Sequence, residues 1–282
     1  MQHTHVSWFR IPRRASVRWR LAGMAALALV CTLSQACATL GGGGGFNLLS
    51  LEQEWQLGQQ LAQDVAKQVR LSRDRAVNDY VSSMGQRLVR HTELGHLPWE
   101  FHVIEDPAIN AFNMPGGHVY VHTGLIAAAG NASELAAVMA HEISHGVSRH
   151  GTENLTRAYG ASMLASLLLG EDAKTHERLA AEILAGGALA KFSRDAEREA
   201  DRLGMRTMYQ AGYDPRGMVG IFETLLEQRK RRPNAVASLF SSHPLTEARI
   251  AEARQMASEL PRKTSLVTND GRLPAVQQRV GR

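Results

Sequence analysis

Cysteine is nearly missing from this chain of 282 residues. The two present, Cys31 and Cys37, both stand near its start, so the body has no thiols to pair and no disulfide framework to lean on. Packing must hold it together, and the length is ample for a sizeable core. Long apolar runs are scarce too. LAGMAALALVCTL, residues 21–33, carries no charge, but a helix needs ~20 such residues to cross a bilayer. ASMLASLLLG, residues 161–170, is shorter still. The body also lacks net charge. The formal balance is +5, yet Arg10, Arg13, Arg14, Arg18 and Arg20 all precede the first acidic residue, Glu52; beyond residue 36, 27 basic residues face 27 acidic ones. Such a body has no excess positive charge with which to release counterions from a phosphate backbone, which argues against a nucleic-acid partner.

A basic flank, a short apolar run and then small residues make the pattern of a secretory signal over residues 1–36. The stretch LSQAC places Cys37 directly after Ala36 and resembles the lipobox of bacterial lipoproteins, in which the cysteine becomes the lipidated first residue. Ordinary cleavage near Ala36 or Ala38 is the alternative. Gly41 to Gly45 then supply a flexible tether, so residues 37–48 read as an anchor and its leash. The expectation is a periplasmic domain held to a membrane by lipid. Ala38, where an aspartate would retain a lipoprotein at the inner membrane of enteric bacteria, points to the outer one.

Apolar spacing predicts two amphipathic helices between residues 49 and 91, carrying Leu57, Leu61 and Val65, then Val77, Tyr80, Val81, Met84 and Leu88, with the polar RLSRDR between them. Residues 101–105 and HVYVH alternate as strands do, joined by a loop rich in proline and glycine. Asn131 or Ser133 can cap a helix running to about His150, where Gly151 can end it. A long helical segment over 177–210 stops at Gly212 and Pro215. Helices at 217–230 and 247–259 follow, and the polar end from residue 261 reads as a loose tail. No internal repeat is present. One domain over residues 49–260 is the expectation.

The chemistry stands in ELAAVMAHEISHG, residues 134–146. On a helix His145 lies about 40° round from His141 and one turn up, so both imidazoles reach one ion. Glu142 lies beside that ion, where a base must be to take a proton from water activated by a metal. A catalytic zinc wants a third protein ligand. SRDAEREAD, residues 193–201, offers Glu197, with Asp201 one turn on and on the same face. Asp201 can accept the free ring N–H of a ligand histidine. Glu199, about 200° from Glu197, would point elsewhere. A solvated charged face is the competing reading of this second segment.

HEISH followed by EREAD resembles the zinc metallopeptidases of the HtpX and CAAX-prenyl-protease type, metallopeptidase family forty-eight. NAFNMPGGHVYVHTGLI at 110–126 and SSHPLTEARI at 241–250 extend the resemblance over roughly residues 50–260. It implies an α+β, mostly helical, zincin-type (gluzincin) domain with a small sheet edging the cleft. It also implies one zinc ion per chain bound by His141, His145 and Glu197, with Glu142 as base. Within the family the chain looks most like the periplasmic BepA-type proteases, without their helical repeats. Gly117, His118, Val119 and Tyr120 would then form a strand at the cleft edge with which a substrate peptide pairs. His243, before Pro244, would lie on a loop near the metal. It could steady the transition state, plug the open zinc position, or be structural. The function implied is proteolysis of misfolded or unassembled envelope proteins; a zinc-dependent chaperone that seldom cuts is the alternative, against which Glu142 speaks.

Overall fold

The computed structural model describes residues 46–169 and 173–281. The apolar leader, Cys37 and the glycine run lie outside the described residues. Both early helices form: α1 (Leu51–Gln68) and α2 (Arg75–Val89). Ser50 and Gln53 make a reciprocal capping box on α1, and the Asp74 carboxylate accepts the N–H groups of Ala76 and Val77 on α2.

The sheet has three strands, β1 (Glu100–Ile104), β2 (Ala111–Met114) and β3 (His118–His122), in the order β1–β3–β2. β1 runs parallel to β3, and β2 antiparallel to it. Two of these strands are legible in the sequence; β2 is not, because it is four residues long, includes an asparagine and abuts Pro115. The turn from β2 to β3 needs Gly116 and Gly117 at φ +80° and +76°, and a Cβ on Gly116 would come within 2.9 Å of the Gly58 Cα on α1.

This topology overturns one expectation. Gly117, His118, Val119 and Tyr120 do not edge the cleft. β3 is the middle strand, hydrogen-bonded on both sides and buried along its length, and the Gly117 carbonyl already accepts the Glu100 N–H. No backbone is left there for a peptide to pair with. The free edge on the cleft side is that of β2.

Next come α3 (Thr123–Ala128), α4 (Ala132–Val147) and α5 (His150–Leu169). Asn131 caps α4 by accepting from the Glu134 N–H. The helix ends at Val147 rather than near His150, because Arg149 takes a left-handed φ of 58°. Arg149 is held there by the buried Glu54 carboxylate and the Leu49 carbonyl, each 2.6 Å away. α5 contains residues 161–169 of the apolar run, kinks at Gly160 and buries Leu164 and Leu167. The single long segment expected over 177–210 is two helices, α6 (Ala173–Leu184) and α7 (Arg194–Gln210), parted at Gly186 (φ 63°) and restarted by the Ser193 cap.

After α8 (Arg216–Arg231) and the short α9 (Ala237–Ser242), α10 (Glu247–Glu259) matches its expected bounds. The stretch from residue 261 is not a loose tail: α11 (Leu273–Val280) buries Leu273 and Val276, and Gln277 donates to the Ile126 and Ala129 carbonyls. Few large apolar residues suffice there because both point inward.

Strand alternation divides the core. Phe101, Val103, Val119 and Val121 share one core cluster with side chains of α2, α4 and α8, whereas Phe112, Met114 and Tyr120 share another with those of α1, α5 and α6. No helix among the described residues is long and apolar enough to cross a membrane.

Candidate metal centre

α4 is buried from Ala132 to Gly146, which lets it carry polar groups into the interior. His141 and His145 project from it towards α7, with their Nε2 atoms 3.1 Å apart. α7 can lie close because Gly204 has no side chain; a Cβ there would sit 3.1 Å from the His141 N. The close approach puts Glu197 Oε1 at 3.2 Å from His145 Nε2, and Glu197 Oε2 at 3.7 Å from His141 Nε2. His243, just beyond α9, completes the group: its Nδ1 lies 2.9 Å from Glu197 Oε1 and 3.3 Å from His141 Nε2. These four buried residues each offer a donor atom within 4.8 Å of the others.

An outer ring of partners fixes the donors. His141 Nδ1 lies 2.9 Å from Asp201 Oδ1, leaving Nε2 to face the cluster. Arg249 spans both carboxylates, donating from Nε to Asp201 Oδ2 at 2.7 Å and from Nη1 to Glu197 Oε2 at 2.6 Å. On the other flank His145 Nδ1 meets His150 Nδ1 at 2.9 Å, and His150 Nε2 lies 3.3 Å from Glu199 Oε2. Glu199 does point away from Glu197, but towards His150 rather than into a solvated charged face. Phe192 stacks on His145 with centroids 4.0 Å apart.

Glu142 stands beside the donors without joining them. Its Oε2 accepts the Asn113 N–H from the free edge of β2 at 3.1 Å, its buried Oε1 has no hydrogen-bond partner, and His243 Nε2 lies 3.5 Å from that oxygen. Burial raises the Glu142 pKa above the ordinary carboxylate range. Burial also acts to raise that of Glu197, but the nearby His243, His145 and His141 outweigh it and hold the carboxyl well below that range. For His243 burial disfavours the charged form, yet Glu197 and Glu142 outweigh it and push its pKa up to about 9.

The donor set fits a transition ion. Ligand atoms about 2.0–2.1 Å from a tetrahedral ion stand ~3.3 Å apart, and the separations among these donors, from 2.9 to 3.7 Å, bracket that edge. Two imidazoles and a carboxylate, with a third imidazole within reach, are also the ligand types such ions take. The structure brings His141, His145, Glu197 and Asp201 together with Glu142 beside them, and His243 reaches them. Spacing along the chain does not reveal Arg249, His150, Glu199 or Asn113 as parts of this site. His150 is five residues from His145, which on a continuous helix would face it away by about 140°; the left-handed Arg149 turns it back. Arg249 lies within SSHPLTEARI, but only the fold shows it reaching α7.

Apolar side chains wall the cleft, with Val138, Met218, Phe222 and Leu245 on one side of His243 and Phe112, Leu155, Ile183 and Leu189 on the other.

Comparison with known proteins places these residues in a family. The model of Peptidase family M48 matches residues 75–257. The chain is 34% identical over 221 residues to the beta-barrel assembly-enhancing protease of Escherichia coli (strain K12), aligning 75% of itself with 45% of that protein. It is 33% identical over 229 residues to the mitochondrial metalloendopeptidase OMA1 of Schizosaccharomyces pombe, covering 78% of this chain and 66% of that one. The chain therefore spans under half the length of its bacterial relative.

Proposed function

The chain belongs to peptidase family M48, and from that premise we propose that it is an exported zinc endopeptidase that cuts misfolded or unassembled cell-envelope proteins. One observation carries the reading: the donor atoms of His141, His145 and Glu197 converge beside a buried, unpartnered oxygen of Glu142. A zinc ion held there supplies the Lewis acidity that makes water a nucleophile near neutral pH. Glu142, fixed by the Asn113 N–H, takes the proton of the attacking water and hands it to the leaving amine. A site that only bound clients would need no such base. Asp201 orients His141 through Nδ1, and Arg249 holds Asp201 and Glu197 in place.

His243 is read as a reversible plug: Glu197 and Glu142 draw it in among the donor atoms where water and substrate must enter, and it blocks that position as a ligand once it gives up its proton. The free edge of β2, beside Glu142, offers the backbone against which an extended peptide can pair. The substrate class rests on the name of the bacterial relative and on the leader pattern, which also underlies attachment to the outer membrane through Cys37. Labelled palmitate should enter wild type and not Cys37→Ala.

Digestion of an unfolded protein by wild type and Glu142→Gln, each assayed for zinc, tests the central reading. Glu142→Gln should retain the metal and lose cleavage. Cleavage undiminished in Glu142→Gln would remove the proposed base.

A further inference from the structure

A second group of metal-ligating side chains lies at the start of β1 and β3, on the sheet face that carries Tyr120 and Phe112. Glu100 on β1 pairs in register with His118 on β3, and His102 follows two residues along the same face. His102 Nε2 lies 3.3 Å from His118 Nδ1, and Glu100 Oε2 lies 3.5 Å and 3.7 Å from those same two nitrogens. All three donor atoms fall within 4.8 Å of one another. The separations are again close to the ~3.3 Å edge of a tetrahedral ion.

The setting favours an ion over a chance meeting of polar groups. Two ring nitrogens facing each other must share a proton, one donating and one accepting, and a proton in that position is what a transition ion displaces. The His102 ring stacks on Tyr120 at 4.7 Å, and Tyr120 on Phe112 at 4.9 Å. This stack crosses all three strands and limits how far His102 can swing. The Glu100 side chain is 55% exposed and His118 only 4%, so an ion can enter from solvent and be held from behind.

We propose that Glu100, His102 and His118 form a second site for a divalent transition ion of the zinc class, with water completing the coordination, and that the ion clamps β1 to β3. Two imidazoles and one carboxylate suit zinc, and also copper or nickel, better than calcium or magnesium. With three protein donors, one of them largely solvated, it binds more weakly than the site at His141. The inference does not depend on the proposed function.

Zinc titrated into the full chain against a competing chelator, with metal content measured at each step, tests it. Wild type should take up two equivalents. His102→Gln should lose the weaker one, and Glu100→Gln should weaken it by at least the roughly ten- to hundredfold that losing an outer partner costs; both should keep the tighter one. The melting temperature should rise as the weaker equivalent binds to wild type and stay level in His102→Gln. A second equivalent that survives His102→Gln, or a wild type whose single equivalent is lost in His141→Ala, would overturn the site while leaving the first intact. A single equivalent lost in His102→Gln but kept in His141→Ala would support this site and count against the other.

Discussion

Both histidine clusters bring imidazoles and a glutamate within bonding distance of one another, but they are assembled differently. The one at His141 draws its donors from α4, α7 and the segment after α9, all of them buried. Each of its α4 imidazoles is braced from behind, His141 by Asp201 and Arg249, His145 by His150 and Glu199. The one at His102 comes from two adjacent strands, opens to water at Glu100 and is braced by ring stacking alone. Burial removes competing water and strengthens each charge contact, and the outer partners hold the geometry that an ion needs. One arrangement is built for a tightly held ion with a reaction beside it, the other for a looser clamp.

Removing ligands should separate the two most sharply. His141→Ala, His145→Ala and Glu197→Ala should each lose the tight zinc and all proteolysis, whereas Glu142→Gln should keep the zinc and lose about two to four orders of magnitude in turnover. Metal analysis and kinetics on the four variants check this, and stoichiometric zinc in Glu197→Ala would take that residue out of the ligand set.

Removing the brace should cost stability as well. Arg249→Met leaves two buried carboxylates without their cation, an expected loss on the order of 3–5 kcal/mol in chemical denaturation. A loss under about 1 kcal/mol would mean that His141 and the ion already balance those charges. Asp201→Asn keeps the shape and should weaken zinc retention or turnover roughly ten- to hundredfold without unfolding; unchanged values would make Asp201 dispensable to the site.

His243→Ala tests whether the fourth donor blocks or helps. As a plug it should raise cleavage of an unfolded protein at unchanged zinc content; as a transition-state group it should lower turnover with little effect on substrate binding. The smallest effect belongs to the sheet cluster. His102→Gln, which loses one ring from the stack, should cost about 0.5–1.5 kcal/mol in zinc-free buffer and leave proteolysis as in wild type. A drop in proteolysis would tie the two clusters together through Phe112, which lines the cleft.

The legible part of the site was local. His141, Glu142 and His145 lie within a turn and a quarter of one helix, as do Glu197 and Asp201, so helical geometry alone set which side chains share a flank. Pairing the two segments rested on the resemblance, since spacing along the chain says nothing of which helices pack. The illegible part was non-local or depended on breaks in regular structure. Glu199 points away from Glu197, as the helical wheel requires, yet it serves the same centre because Arg149 reverses the chain and brings His150 between Glu199 and His145. β3 is legible as a strand, but its neighbours are not written in its own alternation; the resemblance puts it at the cleft edge, and the fold puts β2 there.

By itself the sequence determined the helices with strong apolar periodicity, the order of the motifs, the near absence of cysteine and the neutral body. The helices are written in residues a few positions apart, and the rest in composition and in order along the chain. Tertiary structure alone decided that α7 lies against α4 closely enough for Glu197 to reach His145, that Arg249 joins Glu197 to Asp201, and that Glu100, His102 and His118 meet at the start of the sheet. Those contacts join residues from 16 to 52 positions apart. They form because burying apolar faces brings the elements together, and polar groups trapped in that packing must then find one another.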